Sequence, residues 1–463
     1  MSDSLLRRRE RRSRRRSLYL ALLTLTLGAS GWLFWMGTSS PRAELRGVPE
    51  VLGREGHVSL RLEAPRAGLR SWQAYVRDAA GKRIVIAEEN LPGGGLFAPG
   101  IQHHNVELTI DPAALGLAEG PAEIIIQATG HAPLSRLSSA LVAASAGFRI
   151  DRTPPRLRLI GDGWRVRQGG TGLILYEVDA DATSSGVQVG ETIFPGEAGG
   201  FPRDEQHAAL YTVPWNASDE HTPRLFAQDA AGNRSVLGVP ATIRPRTPRA
   251  EKIRVSDSFI ERKIHPLLES QGIEIPSSRA EAYLAVNRDM RAASEVELRG
   301  HVGQSAPMLL VEAGLRQQPG TQVGSRFAEH RTYMYEGRAI DEQTHLGYDL
   351  ASVRRAPVEA SGAGRVQWVG DLGIYGKVVL IDHGLGLATL YAHLSTISVA
   401  SGDVVARGTV IGRTGETGLA GGDHLHFSVT IRGHHVDPIE WWDARWVERE
   451  IHGPLRAATG ISP

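Results

Sequence analysis

The sequence predicts a mainly β, multidomain chain: an N-terminal transmembrane helix, two β-sandwich-like modules, a short helical segment and a C-terminal antiparallel β domain. Three observations carry that prediction. At 463 residues the chain is too long for one core, so roughly two to four domains are expected. Short stretches of alternating apolar and polar residues, bounded by Gly and Pro, recur from Val58 to Ile431. An uncharged run, residues 17–37, follows a block of arginines.

That block comes first in the chain. Lys and Arg (52) nearly balance Asp and Glu (51), but residues 1–16 hold eight of the arginines against Asp3 and Glu10, so the body is mildly acidic. The uncharged run that follows argues against a nucleic-acid role. Its 21 residues, at about 1.5 Å each, span roughly 30 Å, the thickness of a bilayer's hydrocarbon core. Arginines on its N-terminal side place residues 1–16 in the cytoplasm, and Trp32 and Trp35 suit the far interface. The rival is a cleaved signal peptide, but the run is long and no clear small-x-small site precedes Arg42. A single-pass anchor in the cytoplasmic (inner) membrane is therefore expected. Everything after about residue 40 would then lie on the periplasmic, extracytoplasmic side.

Residues 45–150 and 153–246 read as two small β modules. Val58, Leu60 and Leu62 alternate with Ser59, Arg61 and Glu63, and Ile124-Ile125-Ile126 reads as a buried strand. Asp78-Ala79-Ala80-Gly81-Lys82-Arg83 returns as Asp229-Ala230-Ala231-Gly232-Asn233-Arg234, each with a turn-forming Gly after a strand. Thr153-Pro154-Pro155 opens the second copy as an extended linker. By short motifs only, these segments resemble bacterial immunoglobulin-like modules. They read as a spacer with no ligand, with docking to the wall or to a protein partner of the cell-wall machinery as the alternative.

Residues 250–320 change character to a helical linker region. Ser258-x-x-Glu261 and Ser278-x-x-Glu281 read as capping boxes, Pro266 interrupts the first helix, and Gly300 fits the end of the second. The polar stretch 304–320 reads as a connector.

The last domain, residues 321–442, is strand-rich with Gly turns, and 443–463 is a C-terminal tail. Its final strand reads His424-Leu425-His426-Phe427-Ser428-Val429-Thr430-Ile431. Strict alternation puts Leu425, Phe427, Val429 and Ile431 on one face and both histidines on the other. Upstream lie His345-Leu346-Gly347-Tyr348-Asp349 and Leu390-Tyr391-Ala392-His393-Leu394. Gly347 argues for a loop entering a strand rather than a helical pair. Four imidazoles and one carboxylate, in a chain without cysteine, are the raw material of an oxygen and nitrogen zinc site. His383, in Ile381-Asp382-His383-Gly384, reads as a hydrogen-bonded structural residue. Stability on the oxidising side then rests on packing and metal rather than disulfides.

This domain resembles the LytM/lysostaphin-type zinc endopeptidases that cut the peptide cross-links of peptidoglycan. The resemblance runs from about Ser325 to about Trp442. It includes Gly347-Tyr348-Asp349, Gly362-Ala363-Gly364-Arg365-Val366, Gly373-Ile374-Tyr375-Gly376, Tyr391-Ala392-His393-Leu394 and Val436-Asp437-Pro438. It implies His345, Asp349 and His426 as zinc ligands and His393 and His424 as non-ligand catalytic histidines. One departure is Asp423, where a proline often precedes the pair; metal binding is not expected to change.

Two histidines and one carboxylate leave a formal charge of about +1 and an open fourth position. No H-E-x-x-H is present to place a helix-borne glutamate as base. His393 and His424 are left to accept a water proton, donate to the leaving amine or stabilise the oxyanion. The resemblance thus implies a zinc metalloendopeptidase acting on peptidoglycan in cell-wall remodelling. The alternative class is a membrane-anchored, non-catalytic activator or scaffold for other wall hydrolases, against which the intact five-residue set counts.

Overall fold

A computed structural model describes residues 16–32, 40–65, 68–93, 100–131 and 141–459. Most of the basic tail, the end of the apolar run (33–39) and residues 460–463 lie outside the described residues. Residues 16–32 form a helix; among the described residues no helix is long and apolar enough to cross a membrane. The chain divides into two compact units, one reaching Pro154 and including residues 230–233, the other holding the rest.

In the first unit, alternation decides which side chains are buried. Val58, Leu60 and Leu62 of the Gly56–Glu63 strand are buried, while Ser59 and Arg61 face water. That strand lies between Arg42–Arg46 and His103–Ile110. A second sheet runs in the order Val51–Leu52, Leu141–Ile150, Gly120–Gly130, Leu69–Arg77, Arg83–Asn90. The two sheets enclose one core that includes Leu60, Trp72, Ile124 and Ile126. The repeated Asp-Ala-Ala-Gly motif follows a strand in both copies. Asp78 Oδ1 accepts from the amides of Ala80 (3.0 Å) and Lys82 (2.8 Å), and Gly81 and Gly232 take φ of +79° and +80°.

The second unit opens with two further sheets. One is ordered Gln206–Thr212, Thr171–Val178, Leu157–Ile160; the other is ordered Thr192–Pro195, Ala182–Val189, Arg224–Asp229, Arg234–Gly238. Two helical arms follow, over 257–270 and 279–301. Their ends depart from expectation. Ser256, not Ser258, caps the first arm, accepting from the Phe259 amide at 3.2 Å. Pro266 does not end that arm, because the chain widens to i→i+5 turns over Ile260–Ile264 just before it. Ser278 caps the second arm as expected, accepting from Glu281 N at 3.4 Å. That arm continues through Gly300 to His301, and Val302 turns extended to end it.

The C-terminal sheet positions the site. Seven strands run in the order Gln322–Ser325, Tyr348–Ala351, Leu425–Ile431, Leu387–Leu394, Lys377–Asp382, Gly364–Asp371, Val404–Val405, with His434–Val436 paired to Leu425–Ile431 as the eighth. One face, bearing Val379, Ile381, Tyr391, Leu425, Phe427 and Val429, joins a core continuous with that of the preceding β module. The opposite face presents Val378, Leu380, Ala388, Leu390 and Ala392, and the helical arms bury it with Ile260, Ile264, Tyr283, Val286 and Leu298. Each such aliphatic burial contributes about 1.5–3 kcal/mol, so the segment expected as a linker is a packed layer on the sheet. A further small sheet ties it down: Ala250–Arg254 runs parallel to Glu329–Tyr335, which pairs with Arg338–His345.

After Asp437 the chain turns into the Pro438–Trp442 helix, which its tryptophans pack down. Trp441 is fully buried and donates Nε1–H to Thr171 Oγ1 at 3.0 Å, while Trp442 stacks on Phe427. The helical path breaks at Asp443, whose carboxylate caps Ala444–Val447, and helical turns continue to Thr459 through the segment expected as a C-terminal tail.

Candidate metal centre

Strand register brings the first two residues together. Asp349 lies opposite His426, and His426 opposite Ala392, so Asp349 and His426 leave the sheet on one face. His345 ends the Arg338–His345 strand, and the chain bends through Leu346-Gly347 into Tyr348–Ala351, a loop into a strand as Gly347 suggested. Gly347 is needed for space. A Cβ there would fall 2.5 Å from Ser428 Oγ and 2.6 Å from His426 Nε2.

His393 reaches the same place by a different route. Simple alternation would turn it away from the face of its neighbour Ala392. A register shift between Lys377 and Val379, together with left-handed backbone at His393 (φ +59°), accompanies its turn towards the histidine pair. Its ring centre lies 4.8 Å from that of His424 and 5.8 Å from that of His426. A left-handed non-Gly residue costs about 1–3 kcal/mol, a cost characteristic of functional sites.

The hydrogen-bond network assigns the tautomers. His345 donates Nδ1–H to the Arg326 carbonyl (3.0 Å), leaving Nε2 bare. Ser428 Oγ donates to the Leu346 carbonyl (2.9 Å) and so accepts from His426 Nε2–H (2.9 Å), leaving Nδ1 of His426 bare. These bare nitrogens face Asp349 Oδ1. His345 Nε2 is 3.0 Å from it, His426 Nδ1 is 2.9 Å from it, and the two nitrogens are 3.1 Å apart. Arg331 occupies the other carboxylate oxygen, Oδ2, at 3.0 Å. Three lone pairs thus converge on one point, an arrangement that requires positive charge among them. The separations approach the roughly 3.3 Å edge of a tetrahedral zinc site with ligands about 2.0–2.1 Å from the ion.

The surroundings tune the same groups. Burial alone would raise the Asp349 carboxyl; the imidazoles of His345, His424 and His426 around it hold it well below the usual carboxylate range. Burial pushes His426 down to about 4, which keeps it neutral, the form a ligand needs. His393 is also pushed down, by burial first and then by its histidine neighbours. His424 goes the other way: burial would lower it, but the Asp349 hydrogen bond and charge raise it. Nδ1 of His393 lies 2.8 Å from the Thr417 carbonyl and Nδ1 of His424 lies 2.8 Å from that of Gly422, so each ring leaves Nε2 free of that bond. All five residues line one cleft of about 410 Å³, with Tyr375 beside them.

His383 stands apart, fully buried and bonded at both nitrogens, to the Ala363 carbonyl (2.7 Å) and Thr389 Oγ1 (2.8 Å). Sequence reasoning missed Arg331, which arrives from a separate hairpin with no local signal. Ser428 was legible as a polar residue on the histidine face, though not as the group that sets the His426 tautomer.

Comparison with known proteins converges on this region. Residues 343–438 match Peptidase family M23 and form a domain of that kind. The DD-carboxypeptidase/endopeptidase Mpg of Neisseria meningitidis serogroup B is 45% identical over 95 residues, covering 20% of this chain and 22% of Mpg. The peptidoglycan DD-endopeptidase ShyA of Vibrio cholerae is 40% identical over 119 residues, 26% of this chain and 27% of ShyA. The chain therefore spans about a quarter of the length of the curated relatives it matches. Among solved structures, the catalytic domain of the antimicrobial peptidase lysostaphin from Staphylococcus simulans is 25% identical with a TM-score of 0.23, covering 26% of this chain and 92% of that one.

Proposed function

We propose that this chain is a zinc-dependent endopeptidase that hydrolyses peptide cross-links of peptidoglycan. The observation that carries the reading is the convergence of His345 Nε2, Asp349 Oδ1 and His426 Nδ1 as three unprotonated donors, flanked by two further histidines in a cleft. The name of the relative ShyA, a peptidoglycan DD-endopeptidase, supports the choice of substrate, and that of Mpg supports an endopeptidase.

His345, Asp349 and His426 would hold the zinc, with Arg331 fixing Asp349 so that Oδ1 alone is presented. Zinc, when bound, lowers the pKa of water and polarises a carbonyl. His393 and His424 act on protons. Their main-chain anchors aim the rings, and their environments split them in basicity, as an acid–base pair requires. Release of muropeptides from purified peptidoglycan by the purified chain tests the reading.

The same proposal places the chain in the cytoplasmic membrane. The uncharged run 17–37 behind the arginine block supports a single-pass anchor, with the peptidase domain on the periplasmic side and the immunoglobulin-like modules as spacers. A reporter fused after Pro463 is expected to be active only if it works outside the cytoplasm. Activity of a reporter that works only in the cytoplasm would contradict the anchor.

A further inference from the structure

The candidate centre is flanked by a second cleft. Beyond His345, His426 and Tyr375 lies a cavity of about 570 Å³, bounded by the second helical arm, the Arg338–His345 strand and Trp215. One cationic residue, Arg291, lines both this cavity and the cleft that holds His393 and His424. It belongs to the helical arm and lies outside the M23 match.

Arg291 is half-buried and held in place. Its Nε donates to the Asn287 carbonyl at 2.9 Å and its Nη2 to Asn287 Oδ1 at 2.8 Å. Asn287 is itself fully buried and fixed, donating Nδ2–H to Asp341 Oδ2 at 2.8 Å. Two of the five guanidinium N–H donors are thereby used and three remain. The nearby carboxylates are taken by others. Asp341 bonds Arg288 (2.9 Å), Asp349 bonds Arg331 (3.0 Å), and Glu295 accepts from the Tyr375 hydroxyl (2.5 Å) and faces His435 Nε2 at 3.1 Å. Among the described residues no carboxylate forms an ion pair with Arg291; Glu295, one turn on, feels its charge from beyond ion-pair distance. Arg254, also at the first cleft, is exposed at a strand end. A partly desolvated, pre-aimed and unpaired guanidinium beside a reaction centre is a receptor for an anion, and its planar fork suits a carboxylate.

We propose that Arg291 is a specificity-determining residue that binds a carboxylate of the substrate peptide next to the bond to be cut. The inference rests on the endopeptidase reading. It selects, within that class, cross-links that carry a free carboxylate over those in which it is amidated.

The test compares a purified cross-linked muropeptide bearing free carboxylates with the same muropeptide amidated at them, using the zinc-loaded full chain. The wild type is expected to favour the free acid in kcat/KM by about tenfold to a hundredfold, the range for a hydrogen-bonded charge pair. Arg291→Gln should erase the preference, with the larger loss in kcat/KM falling on the free acid, and Arg291→Lys should retain part of it. Equal cleavage of both substrates by the wild type, or an undiminished preference in Arg291→Gln, would overturn the role of Arg291 and leave the endopeptidase reading standing. If neither substrate is cut, that reading fails, and calorimetric binding of the two muropeptides still decides. Tighter binding of the free acid by the wild type alone supports Arg291, and equal binding refutes it. Should Arg291→Gln fail to fold, the wild-type comparison and Arg291→Lys decide alone.

Discussion

His345→Ala and Asp349→Ala are each expected to abolish stoichiometric zinc in the purified protein. Either change removes one of three donors that converge within 3.1 Å of one another, and two remaining ligands do not make a tight site. Because the metal binds only the folded state, its loss lowers stability. At zinc on the order of several hundred to a thousand times its Kd, the wild type gains about 3–4 kcal/mol that neither variant gains. The two variants should differ in the metal-free state. Asp349→Ala also strips Arg331 of its close carboxylate, leaving Glu329 at 3.9 Å, and should melt lower than His345→Ala by about 1–3 kcal/mol. Full zinc occupancy by elemental analysis in either variant would refute the ligand assignment.

His393→Ala and His424→Ala should behave in the opposite way, keeping zinc and fold but losing hydrolysis by about 10²–10⁴, the range for removing an acid–base group or an oxyanion donor. Neither ring is among the three converging donors. His424 Nε2 stands 3.5 Å from Asp349 Oδ1, farther than His345 or His426. The double variant should lose less than the product of the two single losses, because groups serving one transition state are not additive. Zinc content, thermal melt and muropeptide release on these three proteins and on His426→Ala check this. If His424→Ala loses its metal while His426→Ala keeps it, the roles are reversed. If both single variants cut normally, the site is not catalytic.

Much of the site was legible because it rests on period-two strands. In the Leu425–Ile431 strand the alternation alone separates Leu425, Phe427 and Val429, which join the core, from His426 and Ser428 on the site face. Gly347 likewise signalled a loop, and the structure adds the reason, since a Cβ there would strike His426. What stayed hidden depends on partners distant in sequence or on local exceptions to the period. His393 faces the site only through a register shift and a left-handed residue, neither of which a residue pattern encodes. The helical arms carried cap signals but no sign of the sheet face they bury, because amphipathicity marks that a helix has a buried side without naming what lies against it. Arg331 and Arg291 sit in ordinary polar surroundings in sequence, and only the fold brings them to the centre. Gly300 was misleading for a simple reason: a glycine one residue from a helix end is tolerated in the last turn at about 1 kcal/mol.

The most direct test of the account is hydrolysis and metal content measured on one preparation of the full chain. Zinc-loaded protein should release muropeptides from purified peptidoglycan, lose that activity in step with its zinc on chelation, and recover it when zinc is restored. Undiminished release after the zinc has been removed would contradict a metal centre built on His345, Asp349 and His426. Absence of release by folded, zinc-saturated protein would contradict the endopeptidase itself and favour a non-catalytic activator or scaffold.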